Sequence, residues 1–294
     1  MKHDLEKILV CPICKSKHLG FYIKAIDHNV SGDFFSISQC KSCGYRFTNP
    51  RPKEKTIGYY YKSDDYISHS SSKKGLINKI YHIVRAYQFR KKHKDIVRLK
   101  KTKDKDLLDI GCGTGDFIKY MGENGWNAEG VETDRKARVI AEKQGGLTVY
   151  GSIEEKKIHK YDVITMWHVL EHVYDLDYFF KKIKSLLKEN GVLVIGVPNS
   201  NSYDASFYGK NWYAYDLPIH SSHFRKPDIE NLSKIHDFNL TSVKPLIFDA
   251  YYISMLSERK SKNPSFFGII IGFVSNIKAK RSGEYSSLVY YLFK

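Results

Sequence analysis

At 294 residues, with 42% hydrophobic and 14% aromatic content, the chain is long enough for a sizeable core and too apolar to be disordered overall. Lys and Arg total 48 against 32 for Asp and Glu, a formal charge of +16, and only ten of the basic residues are Arg. That balance excludes an acidic solvating chain; it leaves a nucleic acid, an anionic membrane surface, an acidic small substrate or simply a lysine-rich solvated surface.

The N-terminal MKHDLEKILV has no uninterrupted apolar region, and no stretch reaches the roughly 20 apolar residues of a spanning helix. Neither a signal peptide nor a membrane span is expected, and cysteine usage points to a reducing cytoplasm. Cys11-Pro-Ile-Cys14 and Cys40-Lys-Ser-Cys43-Gly44 flank strand-like runs at Phe21, Tyr22 and Ile23 and at Phe34, Phe35 and Ile37. Two such knuckles can present four thiolates tetrahedrally to one Zn²⁺. A closed four-cysteine site leaves no open coordination position, so the metal is expected to be structural, in a zinc-ribbon-like module over 1–52. Buried thiols or a redox pair are the alternative.

Asn49-Pro50-Arg51-Pro52 reads as a linker, because two prolines disfavour helix and ladder pairing. The tyrosine-rich run 57–66 suits either a substrate mouth or packing of the module on the main domain. Over 75–101, Leu76, Ile80, Ile83 or Val84, and Tyr87 recur at helical spacing among Lys and Arg, predicting an amphipathic basic helix. Residues 53–104 are thus linker plus helix.

The stretch 107–116, LLDIGCGTGD, is an apolar run ending in an acid and entering a loop with glycine at every second position. Such a loop lets backbone approach a ligand closely and bend from strand into helix. Helix and strand then alternate: helix 114–123, strand 126–131, helix 135–144, strand 147–150, strand 162–167, helix 175–188 and the nearly continuous apolar strand 192–197. Helix 227–238, strand 240–248 and strand 286–293 complete the pattern, with an insertion at 249–281 too long for an ordinary loop and therefore expected to be helical. The expected fold is α/β, a doubly wound, mostly parallel seven-stranded sheet over 105–294, whose ligands sit beyond the carboxyl ends of the strands. The insertion carries FFGIIIGFV followed by Lys278, Lys280 and Arg281, which suits membrane-surface docking or packing over a substrate pocket.

Asp109-Ile-Gly111-Cys-Gly113-Thr-Gly115, Glu132 seventeen residues on, and the strand 162–167 followed by His168-Val-Leu-Glu171-His172 resemble class I S-adenosylmethionine-dependent methyltransferases. Pro198-Asn199 supports the same branch, which is similar to ubiquinone-pathway O-methyltransferases and small-molecule methyltransferases. A dinucleotide-binding domain is the competitor, but the spacing is Gly-x-Gly-x-Gly rather than Gly-x-Gly-x-x-Gly. The resemblance implies that Asp109, Gly111, Gly113 and Gly115 hold the methionine portion and the adenosine edge. It puts Glu132 on the ribose hydroxyls, Ser152 and Ile153 by the adenine, and Trp167 and His168 near the methionine end. A carboxylate offers two acceptor oxygens to a vicinal diol, which suits Glu132 to that role.

Methyl transfer to an alcohol or carbon acid also needs a base, for which histidine is the natural choice. His172, His220 and His223 qualify by position, with Trp212, Tyr213 and Tyr215 nearby where the family builds its acceptor pocket. The segment 168–172 also matches the His-x-x-Glu-His pattern of some zinc peptidases, which requires a long helix there. Some ubiquinone-type O-methyltransferases bind a divalent metal through acidic residues and a histidine beside this turn; this chain departs from them in having His168 where an acid would help. A zinc module ahead of the core resembles sugar C-methyltransferases, although those carry a further C-terminal domain.

The expected activity is therefore methyl transfer from S-adenosylmethionine to oxygen or carbon of a small-molecule, sugar-linked or lipid-linked acceptor. An RNA methyltransferase using the zinc module and the basic surface is the first rival. It lacks an Asn-Pro-Pro-Tyr-like stretch after the fourth strand, having Trp167-His168-Val169-Leu170 instead. The second is a non-catalytic protein that binds the cofactor or a partner.

Overall fold

The computed structural model describes residues 4–61, 76–100, 105–156 and 160–294. Among the described residues the N-terminal segment holds β1 (Leu5–Glu6), β2 (Leu19–Ile26), β3 (Phe34–Cys40), β4 (Arg46–Thr48) and β5 (Arg51–Pro52). Strands β2 and β3 form an antiparallel hairpin. Its turn is organised by the buried Asp27, whose carboxylate accepts hydrogen bonds from the backbone N–H groups of Asn29, Val30 and Ser31. The proline-rich stretch is not a free linker, because Arg51 and Pro52 pair antiparallel with Glu6 and Leu5. A two-residue edge ladder tolerates a proline's missing donor, and Arg51 is fixed there by Glu6 at 2.7 Å and by the Tyr174 ring at 4.0 Å.

The main sheet is built from β6 (Asp106–Ile110), β7 (Asn127–Val131), β8 (Thr148–Tyr150), β9 (Tyr161–Trp167), β10 (Leu187–Pro198), β12 (Asn239–Pro245) and β13 (Ser287–Phe293), and β11 (Ser222–His223) belongs to the smaller sheet. The order is β12-β13-β10-β9-β6-β7-β8, with β13 antiparallel to both its neighbours and the remaining pairs parallel. Strands β9 and β10 are buried along most of their length, which is why they read as continuous apolar runs. The predicted strand 240–248 stops at Pro245, and Ile247 and Phe248 instead open a helix.

The helices are α1 (Leu76–Leu99), α2 (Asp116–Glu123), α3 (Arg135–Lys143), α4 (Leu176–Leu186), α5 (Tyr203–Tyr208), α6 (Lys226–Ile235), α7 (Ile247–Lys260) and α8 (Phe266–Ser282). The predicted apolar stripe of α1 is misplaced: Ile83 and Tyr87 are 70% and 50% exposed. Residues 85, 89, 92 and 96, spaced along one helical face, turn inward instead. Arg85 pairs with Asp116 at 2.9 Å, the rings of Phe89 and Phe117 lie 5.5 Å apart, and Ile96 is buried. Residues 62–66 of the tyrosine-rich run lie outside the described residues.

The insertion is helical, as its length implied, and α7 and α8 form an antiparallel pair packed on α5. The N-terminal strands are knitted into the main domain. Ser222 and His223 of β11 pair with Phe47 and Arg46, giving a four-stranded sheet β11-β4-β3-β2 that crosses the boundary at residue 52. Within the main domain, Asp204 has no exposed surface and accepts hydrogen bonds from Trp212 Nε1, Ser275 Oγ and Ser286 Oγ at 2.6–2.8 Å.

That carboxylate joins α5, the 212–215 loop, the insertion and the start of β13, and replacing it orphans three buried donors. Asp204→Ala should lower the unfolding free energy by about 3 kcal/mol or more. Glu189→Ala, which loses only the pair of an exposed carboxylate with Lys294, should leave the denaturation midpoint nearly unchanged; urea unfolding of the two variants compares them.

Candidate active site

The glycine loop between β6 and α2 sits where a doubly wound sheet binds ligands, at the carboxyl ends of its central strands. The backbone N–H groups of Gly111 and Cys112 both bond to Val131 O, at 2.7 and 3.1 Å, tying the loop to the end of β7. Gly113 N–H donates to Glu132 Oε2 at 2.9 Å and Asp134 N–H to Oε1 at 2.8 Å, so the Glu132 carboxylate is held at the loop mouth. Each of its oxygens keeps a second lone pair for a ligand hydroxyl. Gly113 has φ +56°, and a Cβ there would meet no protein atom within 4 Å. The loop therefore borders open space at that residue, as a ligand cradle requires.

Asp109, buried at the end of β6, accepts a 2.5 Å hydrogen bond from Thr165 Oγ1. Burial pushes its carboxyl up to about 7, against the lowering pull of Thr165 and Lys92. Lys92 of α1 lies 3.6 Å from the centroid of the Trp167 ring, and burial lowers its ammonium to about 8. Ser152 caps the short turn 153–155 through its hydroxyl, and Ile153 beside it is buried in the main core.

Beyond β9 the chain turns sharply at His168, which adopts a left-handed φ of +58° that a non-glycine residue seldom holds. Its ring lies 3.0 Å from Asp249 and 3.5 Å from Glu171. Burial opposes the charged imidazole, but Asp249 and Glu171 outweigh it and raise His168 to about 10. The segment 170–172 is a single 3-10 turn rather than part of a long helix, which removes the zinc-peptidase geometry.

Glu171 is 1% exposed, and neither of its carboxylate oxygens accepts a hydrogen bond among the described residues. Around it stand His168, His172 and His220; one ligand atom each of Glu171, His172 and His220 lies within 4.8 Å of the others. The rings of His172 and His220 meet edge to face at 4.7 Å. His172 Nδ1 lies 3.1 Å from Ile219 O and 3.0 Å from Tyr61 Oη, and His220 Nδ1 lies 2.9 Å from Ala214 O. Among the described residues, Nε2 of neither ring makes a hydrogen bond. Burial and then His220 lower His172 to about 4, and burial lowers His220 as well, so both rings are neutral at physiological pH.

The other residues singled out in the sequence lie farther into the packing. His223 is buried in β11, with Nε2 3.0 Å from Thr48 Oγ1. Trp212 and Tyr215 are buried in a cluster with Phe35, Ile37 and Tyr60 of the N-terminal segment, and Tyr213 packs against that cluster with Lys260 over its ring at 4.7 Å. The cysteine sulfurs come together: Cys11 and Cys43 are 3.6 Å apart, Cys14 and Cys40 3.5 Å, and all four lie within 4.8 Å of one another. Sequence reasoning missed Lys92, Asp249 and Thr48. A lysine at helical spacing from Phe89 was a readable signal, but Asp249 and Thr48 reach the site only through tertiary packing.

Gly113→Arg should fold, with a backbone cost of about 1–2 kcal/mol at positive φ, yet fill the loop mouth and abolish calorimetric binding of S-adenosylhomocysteine. Asp249→Asn should lower His168 from about 10, while His172 stays neutral down to about 4, as followed by imidazole NMR. The two shifts carry opposite signs in stability. The His168 contribution is full below its unfolded value and fades as pH rises through about 10, whereas that of neutral His172 is full above its unfolded value and fades as pH falls through about 4.

A methyltransferase domain family model matches residues 83–243, more than half of the chain. The ubiquinone biosynthesis O-methyltransferase of Pelagibacter ubique is 28% identical over 66% of this chain and 82% of its own length. The enzyme of the same name from Actinobacillus pleuropneumoniae is 31% identical over 53% of this chain and 72% of its own. In fold, the chain matches magnesium protoporphyrin IX methyltransferase of Synechocystis PCC 6803 with bound SAH, at a TM-score of 0.53 and 13% identity, over 82% of this chain and all of that one. With the glycine loop, the carboxylate at its mouth and the seven-stranded sheet, these likenesses show that the chain belongs to the methyltransferase domain family and is an S-adenosylmethionine-dependent methyltransferase.

Proposed function

We propose that the chain methylates oxygen or carbon of a small-molecule, sugar-linked or lipid-linked acceptor, with His172 and His220 as the proton-accepting pair. The observation that carries this reading is the pair itself: two neutral imidazoles 4.7 Å apart beyond β9, each with Nδ1 at a backbone carbonyl and, among the described residues, Nε2 without a hydrogen bond. S-adenosylmethionine supplies an electrophilic methyl carbon, so the protein's tasks are alignment and proton removal. Glu132 takes the ribose hydroxyls. Asp109, Gly111, Gly113 and Gly115 shape the loop, Ser152 and Ile153 flank the adenine, and Trp167 with His168 borders the methionine end. Lys92 offers the cation for the cofactor's carboxylate. Trp212, Tyr213 and Tyr215 form the wall behind the acceptor. The names of the relatives support an oxygen acceptor among these choices.

His172→Gln and His220→Gln should each cut kcat by about 10²-fold or more while leaving S-adenosylhomocysteine affinity nearly unchanged. Labelled methyl transfer into extract fractions identifies an acceptor, after which single-turnover rates test both variants; full kcat in both would remove the pair from the mechanism.

The four cysteines hold a structural zinc in this reading. Tetrahedral Zn–S bonds of about 2.3 Å place sulfurs roughly 3.8 Å apart, close to the observed 3.5 and 3.6 Å. Thr48 of the same small sheet donates through Oγ1 to His220 O at 2.6 Å and through its N–H to Ser221 O at 3.0 Å. Cys40→Ser should therefore lose the bound zinc and lower turnover through a displaced His220, with S-adenosylhomocysteine binding retained; elemental analysis and calorimetry read the two effects.

A divalent cation on Glu171, His172 and His220 is the second reading, favoured by the two Glu171 oxygens that accept no hydrogen bond among the described residues. A second metal equivalent, lost in Glu171→Gln while the zinc on the four cysteines is retained, would establish it over the paired bases.

A further inference from the structure

Helix α8 presents two opposed faces. Gly268, Gly272, Ser275, Asn276 and Ala279 are buried, and α7 passes so close that a Cβ on Gly268 would lie 2.4 Å from Met255 N and one on Gly272 2.7 Å from Tyr251 Cα. Backbone leaves no room for either side chain, so the small-residue face is locked against α7 and the rotation of α8 is fixed. The bulky residues are thereby turned outward. Phe266, Ile270, Phe273 and Ile277 recur along one stripe of roughly 17 Å and are 46–57% exposed. Phe267 and Ile269 flank them at 44% and 50%.

The stripe ends in the exposed cations Lys278, Lys280 and Arg281, and α8 contains no acidic residue. Lys278 lies 3.7 Å over the Tyr203 ring, and Tyr203 packs on Phe207, itself 53% exposed, so the apolar surface continues onto α5. No helix among the described residues is long and apolar enough to cross a membrane. A symmetric pairing with a second copy would bring the three cations to an apolar surface with no helix carboxylate to meet them. A sheet of lipid phosphates over an acyl layer matches both halves of the face.

We propose that α8 docks the protein on an anionic phospholipid surface, lying in the interface plane with Phe266, Ile270, Phe273 and Ile277 among the acyl chains and Lys280 and Arg281 at the phosphates. This goes beyond the methyl-transfer reading and does not depend on it, because the docking face is built entirely from residues outside the glycine loop and the histidine pair.

The test is co-sedimentation of the full chain with vesicles of phosphatidylcholine alone and of phosphatidylcholine mixed with phosphatidylglycerol. The intact chain should partition onto the mixed vesicles at low salt. Two double variants, Phe266→Ser with Phe273→Ser and Lys280→Glu with Arg281→Glu, should each weaken partitioning by at least about tenfold. Unchanged S-adenosylhomocysteine binding in both confirms that they fold. Equal recovery of the intact chain with and without anionic vesicles would overturn the proposal, as would a concentration-dependent dimer abolished by the phenylalanine variant in the absence of any vesicle binding.

Discussion

The candidate site depends on one small junction, the antiparallel contact between β4 and β11. Thr48 is fully buried there and bonds to the backbone of both His220 and Ser221. Ser221 in turn donates through its N–H and hydroxyl to Glu171 O, at 2.8 and 3.0 Å. Three segments distant in sequence are thus stacked by backbone hydrogen bonds: the cysteine-bearing sheet, the loop that carries His220, and the turn that carries Glu171 and His172. Strands of three and two residues have little intrinsic stability; the cysteine cluster at one end and the buried β9 and β10 at the other hold this contact in register.

The same stacking creates the electrostatics of the site. A carboxylate without a hydrogen bond in the interior is costly, and Glu171 is held below its ordinary range, against the raising effect of burial, by His168. His168 carries the balancing charge because Asp249 supports it from the insertion. With that charge localised on His168, the other two rings stay neutral. The insertion therefore does two things at once: its first helix supplies Asp249 beside the site, and its second presents an apolar face away from it.

The scaffold was legible in the sequence because its signals are local. Asp109, the alternate glycines and Glu132 lie on consecutive elements of a parallel sheet, and the buried strands β9 and β10 announce themselves as apolar runs. The paired Cys-x-x-Cys motifs likewise brought their sulfurs together as their spacing implied. What was not legible depends on packing between distant segments. The inward face of α1 is set by α2 and Trp167 rather than by its own apolar spacing, which points Ile83 and Tyr87 to the wrong side. Prolines at 50 and 52 suggested a linker, yet the backbone of Glu6 and Leu5 was close enough to pair with Arg51 and Pro52. Asp249 and Thr48 carry no motif at all; each becomes significant only when the fold sets it against a histidine.

We propose that the glycine loop and the histidine pair form one reaction centre. The most direct measurement is a crystal structure of the protein with S-adenosylhomocysteine. The ribose hydroxyls should lie on Glu132 and the sulfur should open toward His172 and His220. A sulfur facing away from that pair, with the two rings walled off from the cofactor cleft, would contradict it.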